Sequence, residues 1–193
     1  SLVPEDTRQF SLDVYLRDRL TGTTELISVN SAEVPGNGRS EGPSVSADGQ
    51  FVAFESDSSN IVSPDLPAGF FPDEDIFVRD RQTGTTERVS VRSAEAQGND
   101  SSGFASISDD GRYVLAHTHI EVYLFDTSSR TAVKLPVPRP SADMAEVDEG
   151  GTSIARALLR PGSEQFVVVT SDGVMTLWDR TGTSPLDTTL PNA

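Results

Sequence analysis

Cysteine is absent from the 193-residue chain, so a disulfide framework, a zinc-thiolate site and a thiol nucleophile are all closed to it. Lysine is nearly absent too: Lys134 is the single one, and the other fourteen cationic side chains are arginines. Fifteen bases against thirty acids give a formal charge of −15. That balance repels phosphate backbones and anionic headgroups, which makes nucleic acid and anionic lipid poor candidate partners, and no nucleic-acid partner is expected. No apolar run approaches the roughly 20 residues of a membrane-spanning helix, so membrane insertion is not expected. Hydrophobic residues make up 35% of the chain, and a chain of this length still buries roughly two-thirds of its unfolded surface. The Gly-x-Ser-x-Gly elbow, the Gly-Lys-Ser/Thr phosphate loop and His-Glu-x-x-His are all missing, so conventional catalysis has little support. The chain opens on Ser1-Leu2-Val3-Pro4 with no Met and no signal segment, as an excised piece of a longer protein would.

What the chain has in abundance is itself. The phrase DVYLRDRLTGTTELISV from Asp13 returns as DIFVRDRQTGTTERVSV from Asp75, and the match runs without a gap from Asp13–Ser56 onto Asp75–Thr118. Two fainter copies follow, EVYLFDTSSRTAVKLPV from Glu121 and VMTLWDRTGTSPLDTTL from Val174. The Asp of this phrase recurs at Asp18, Asp80, Asp126 and Asp179, with spacings of 62, 46 and 53 residues.

Each unit reads as strands. Val14 and Leu16 alternate with Tyr15 and Arg17, a period of two rich in β-branched and aromatic residues. Thr-Gly-Thr supplies a tight turn, and Asp48-Gly49 and Asp110-Gly111 supply the turn before each apolar run. No stretch keeps a helical period. One repeat is thus four short antiparallel strands whose sheet cannot bury both faces alone. Repetition at this length predicts an all-β chain, a β-propeller of four-stranded blades; a β-sandwich is the alternative but needs no near-identical copies. The expected partition is the second half of a blade over 1–30, then blades over 31–92, 93–140 and 141–193. That makes about three and a half blades, and closed propellers have four to eight. The remainder is expected from upstream blades of a larger propeller or from a second copy.

The run PSVSADGQFVAFES, followed by DIFVRDRQTGTTERVSV, resembles the TolB-like propeller repeat, within the wider WD40-like class. The resemblance covers essentially the whole chain, more closely before Asp126 than after it. It implies a secreted or periplasmic protein and a scaffold that serves many functions, which is no warrant for one chemistry.

Candidate site residues lie where the copies disagree. The insertion from Ser56 to Asp75 carries Phe70 and Phe71 beside Asp65 and Asp73, a candidate contact surface. Asp57, Asp65, Asp73 and Asp75 supply hard oxygen donors of the kind Ca²⁺ takes, though not in EF-hand spacing. His117, His119 and Glu121, two apart on a strand, share a face and form a candidate Zn²⁺ set with an open position. Glu55, His117 and Thr170 stand at what the sequence aligns as one position of three blades. The Asp of each repeat, in contrast, reads as a turn anchor that accepts backbone N–H groups. The favoured function is a non-catalytic scaffold presenting loops or a channel to a protein or glycan. The alternative is a propeller-type hydrolase or lyase using channel carboxylates, with Ca²⁺.

Overall fold

The computed structural model describes residues 12–62, 74–90, 103–117, 121–135, 154–160, 162, 165–171, 175–179 and 185–187. Among them are fourteen strands and no helix. The first sheet has two strands, β1 (Tyr15–Arg17) and β2 (Thr24–Leu26). The second has four: β3 (Ser40–Val45), β4 (Phe51–Ser56), β5 (Asp75–Asp80) and β6 (Thr85–Arg88). The third is β7 (Gly103–Ile107), β8 (Tyr113–His117), β9 (Val122–Asp126) and β10 (Thr131–Leu135). The fourth is β11 (Ile154–Leu159), β12 (Gln165–Thr170), β13 (Met175–Asp179) and β14 (Pro185–Asp187). Strands within each sheet follow chain order and pair antiparallel.

Successive sheets stack face to face, and each interface has its own apolar cluster. Val14 and Ile27 of the first sheet region meet Val52, Phe54 and Phe77 of the second. The rings of Phe54 and Phe77 stack with centroids 5.8 Å apart. Ala53, Ile76 and Val78 point the other way, onto Ala105, Ile107, Val114 and Ala116 of the third sheet. Leu115, Val122 and Leu124 then face Ala157, Leu159, Phe166, Val168 and Trp178 of the fourth. Alternation along β4 and β8 thus feeds two interfaces at once, and for that reason FVAF and VLA are continuous apolar runs rather than half-polar ones. Burying each large side chain contributes roughly 1.5–3 kcal/mol.

The first strand of each complete sheet is kinked by one extra residue opposite the second strand. The irregularity falls between Glu41 and Ser44 in β3, between Gly103 and Ser106 in β7, and between Ile154 and Arg156 in β11. In β3 the kink uses Gly42 at φ +60°, a backbone region where a side chain is costly. Beyond the kink, a hydroxyl rung ties each first strand to the next. Ser44 Oγ accepts the Ile107 N–H at 3.2 Å, and Ser106 Oγ accepts the Leu159 N–H at 3.1 Å. The fourth sheet carries Leu158 at this position, 42% exposed.

The registers also correct one sequence alignment. Glu55 lies opposite Ile76, His117 opposite Val122 and Val169 opposite Met175, so Val169, not Thr170, is the counterpart of Glu55 and His117. Thr170 corresponds to Ser56. Matching QFVVVT to QFVAFE by identity slips the register by one residue, and in a strand a one-residue slip exchanges the two faces.

Replacing Ser106 by Ala removes only the hydroxyl and leaves the buried Leu159 N–H without its acceptor. The expected loss is about 1–3 kcal/mol in urea unfolding, larger than for Ser44→Ala, whose rung is only part-buried.

Candidate functional site

Two places combine polar chemistry with a shaped surface. The first is where the second strands end and the first strands begin. Glu55 is 6% exposed and His117 4%. The Glu55 carboxylate lies against Gly42 of its own sheet and approaches Gly103 of the next, which is itself the register partner of His117. A Cβ at Gly42 would overlap Glu55 Oε1, so glycine there is required by space as well as by φ. An acid and an imidazole on neighbouring sheets therefore stand at equivalent positions, and both are buried.

The remaining predicted residues distribute as follows. Phe70, Phe71, Asp65, Asp73 and His119 lie outside the described residues. Asp57 Oδ1 accepts the Arg39 N–H, while Asp75 accepts the Ser90 hydroxyl at 2.6 Å and has Arg88 Nε at 3.4 Å. Glu121 pairs with Lys134 and accepts the Tyr123 hydroxyl. Among the described residues no group of three or more His, Asp or Glu side chains is placed to hold a metal ion.

The second place was not among the sequence candidates. A groove of about 570 Å³ runs between the outer strands of the second and third sheets. Phe51, Val78, Val89 and Phe125 floor it, and Thr83, Thr85, Thr127 and Ser128 rim it. Its walls are the repeated turns. Asp80 Oδ1 accepts the N–H groups of Gln82 at 2.9 Å and Thr83 at 3.3 Å, and Asp126 Oδ1 accepts those of Ser128 at 2.9 Å and Ser129 at 3.4 Å. Asp18 anchors the first turn likewise, through Leu20 and Thr21. The turn-anchor role expected of these residues is thus observed at Asp18, Asp80 and Asp126; the turn after Asp179 lies outside the described residues.

Electrostatics follow the bonding. Burial pushes the Asp126 carboxyl up, but hydrogen bonds from Arg112, from the Ser128 hydroxyl and from two backbone amides outweigh it, holding the group well below the usual carboxylate range. Asp80 is also lowered; burial opposes the shift, and bonds from Thr83 and Gln50 prevail. Arg112 reaches Asp126 Oδ2 with Nε at 3.2 Å and Nη2 at 2.9 Å, and its guanidinium lies 4.9 Å from the Tyr113 ring centroid.

Arg130 is the departure from the pattern. In the first and second sheets the turn closes on Gly22 and Gly84, at φ +72° and +69°. Arg130 takes the same left-handed conformation at φ +56° and spans the groove to Glu87. A side chain in that region costs of order 1–2 kcal/mol, and such strain gathers at functional positions. The signal was present in the sequence, as the loss of the turn glycine in DTSSRT.

No protein-family model matches the chain, and no curated protein does. Solved structures do. A chain of the mitotic checkpoint complex is 13% identical with a TM-score of 0.58, and the match covers 92% of this chain and 45% of that one. The fold is a partial β-propeller. A chain of Kuenenia stuttgartiensis hydrazine synthase matches at 14% identity and TM-score 0.53, over 91% of this chain and 42% of that one. The β-propeller domain of Cps50 (Swd1) from Myceliophteria thermophila overlaps less, at 18% identity and TM-score 0.42, over 74% and 34% of the two chains. The chain therefore spans less than half the length of the structures it matches, and at these identities the likeness speaks of fold alone.

Asp126→Ala removes the anchor of the third turn, and about 1–2 kcal/mol of stability is expected to go with it. Because the folded carboxyl is depressed, its contribution is complete above the ordinary carboxylate value of about 4 and fades as the pH falls through and below it. Urea midpoints of the two proteins should accordingly differ at pH 7 and converge toward pH 2.

Proposed function

We propose that this chain acts by binding rather than by catalysis, and that the groove between the second and third propeller sheets receives an extended segment of a protein partner. The observation that carries the reading is Arg130, held in a glycine conformation above an apolar floor. The groove's volume is in the range of sites that take small ligands or a few residues of peptide, with an apolar base and few polar groups to set orientation. An apolar side chain would enter between Val89 and Phe125, and an acidic neighbour would meet Arg130 and Arg112. A scaffold with such surfaces on its turns fits the fold, since binding residues gather on connections held by rigid elements.

The TolB-like affiliation, the secreted or periplasmic location, and contacts from Phe70, Phe71, Asp65 and Asp73 belong to the same proposal. So does a glycan as the alternative partner. The sequence repeats support the first, and the others rest on it or on the composition of the Ser56–Asp75 insertion.

Two substitutions at one residue test the groove. Arg130→Gly relieves the turn and is expected to leave stability unchanged or raise it by up to about 1 kcal/mol. Peptides selected from a displayed random library on the natural chain should bind both Arg130→Gly and Arg130→Glu at least tenfold more weakly, by fluorescence anisotropy. Selected peptides that bind all three proteins equally would refute the groove, and loss only on Phe70→Ala/Phe71→Ala would move the contact to the insertion.

A further inference from the structure

The outer half of the third sheet carries a second cation beside the groove. By register Phe125 lies opposite Ala132 and Tyr123 opposite Lys134, and residues directly opposite share a face. That face meets the second sheet, since Phe125 and Ala132 pack on the apolar cluster between the two, while Leu124 and Leu135 turn to the fourth. Lys134 is the single lysine of the chain. It donates to one oxygen of Glu121, the Tyr123 hydroxyl donates to the other, and the lysine side chain is 51% exposed.

The second sheet has a cation at the same place and uses it differently. Arg88 lies opposite Phe77 as Lys134 lies opposite Tyr123. Its side chain is 9% exposed, with Asp75 at 3.4 Å from Nε and the Phe77 ring centroid 5.7 Å from the guanidinium carbon. Arg88 is built into an interface, whereas Lys134 reaches solvent. Val89, the residue after Arg88, lines the groove, so the groove extends from the turn at Arg130 to the level of Lys134. Four residues along β10 span about 13 Å.

We propose that the segment taken by the groove is an extended strand with carboxylates at positions i and i+4 and an apolar residue between them at i+2. This rests on the groove being the binding site, and it adds the spacing that the partner must have. Alternate side chains of an extended chain point the same way, so positions i, i+2 and i+4 face the third sheet together. The first carboxylate meets Arg130. The apolar side chain lies on Phe125 where Ala132 leaves room, and the second carboxylate meets Lys134. A spacing of three would turn the second carboxylate to the opposite side. Arg130 and Lys134 already hold Glu87 and Glu121, but each spends one donor there. A guanidinium has five N–H donors and an ammonium three, so both can take a further carboxylate. At 0.15 M salt the chain's net charge of −15 is screened beyond about 8 Å, and the close cations decide the contact.

The test uses two amidated, fluorescein-labelled peptides of one composition, Ser-Glu-Ser-Leu-Ser-Glu-Ser and Ser-Glu-Ser-Leu-Glu-Ser-Ser, titrated into the full chain at 0.15 M salt. Anisotropy is expected to show the first binding about three- to fivefold more tightly, the range of one partly exposed charge contact. Lys134→Gln should bring the two affinities within twofold of each other, and Lys134→Arg, which keeps the cation, should preserve the preference. Arg130→Gly should weaken both peptides. A second readout comes from reductive methylation, which leaves the lysine charge in place: the ¹³C-methyl resonance of Lys134 should move with the first peptide and stay with the second. Equal binding of the two peptides by the natural chain, with both weakened by Arg130→Gly, would overturn the spacing and leave the groove standing. Equal binding by the natural chain and Arg130→Gly would sink the spacing and the groove together. No binding of either peptide at about 1 mM, with library-selected peptides still lost on Arg130→Gly, would overturn the spacing alone.

Discussion

A four-stranded sheet with valine, leucine, isoleucine and phenylalanine on both faces cannot stand alone in water, and every other feature of this chain follows from the need to cover it. Ala53, Ile76 and Val78 find cover on one side of the second sheet, and Val52, Phe54 and Phe77 on the other. The third sheet is sandwiched in the same way. Covering both faces by identical neighbours demands repetition, repetition demands turns of constant geometry, and constant turns explain the recurring aspartate. Asp18, Asp80 and Asp126 each bind two backbone N–H groups ahead of them, so the return strand leaves each turn in the same direction. With the stacking set, the grooves between outer strands are a by-product that single substitutions can adapt.

Much of this was legible in the residues because period-two alternation and turn chemistry are local. The four strands per unit, the Asp-Gly and Thr-Gly turns and the two-strand remnant at the start all follow from Asp13–Ser56 matching Asp75–Thr118. The fourth sheet was harder. Its hairpin is as long as the others, but the identity of QFV at 165–167 with QFV at 50–52 invites an alignment that the hydrogen-bond ladder rejects, placing Val169 where Thr170 was expected. Register is a long-range property, decided by which face meets the neighbouring sheet, and three matching letters carry no information about that.

The groove was less legible still. Asp80, Asp126 and the threonines around them read correctly as turn formers, and nothing in a linear repeat says that two successive turns on neighbouring sheets enclose a space. Arg130 could have been noticed, since it replaces a glycine that the backbone conformation prefers. Glu55 and His117 show the opposite case. They vary between repeats as functional residues do, yet both are covered in the described structure, with Glu55 seated over Gly42. Variation at a position marks freedom from the repeat's constraint, and burial decides what that freedom is used for.

Near-identical units in one chain carry a hazard during folding, because any sheet can be mistaken for its neighbour and stacked out of turn. The hydroxyl rung lowers that risk. Ser44 and Ser106 accept an amide from the sheet that follows, whereas Leu158 cannot, so putting the fourth sheet in the place of the second or third would strand a buried N–H at a cost of about 1–3 kcal/mol. One side chain per sheet thereby distinguishes the second and third sheets from the fourth, and their order of stacking is written in the pattern of oxygen atoms along the first strands.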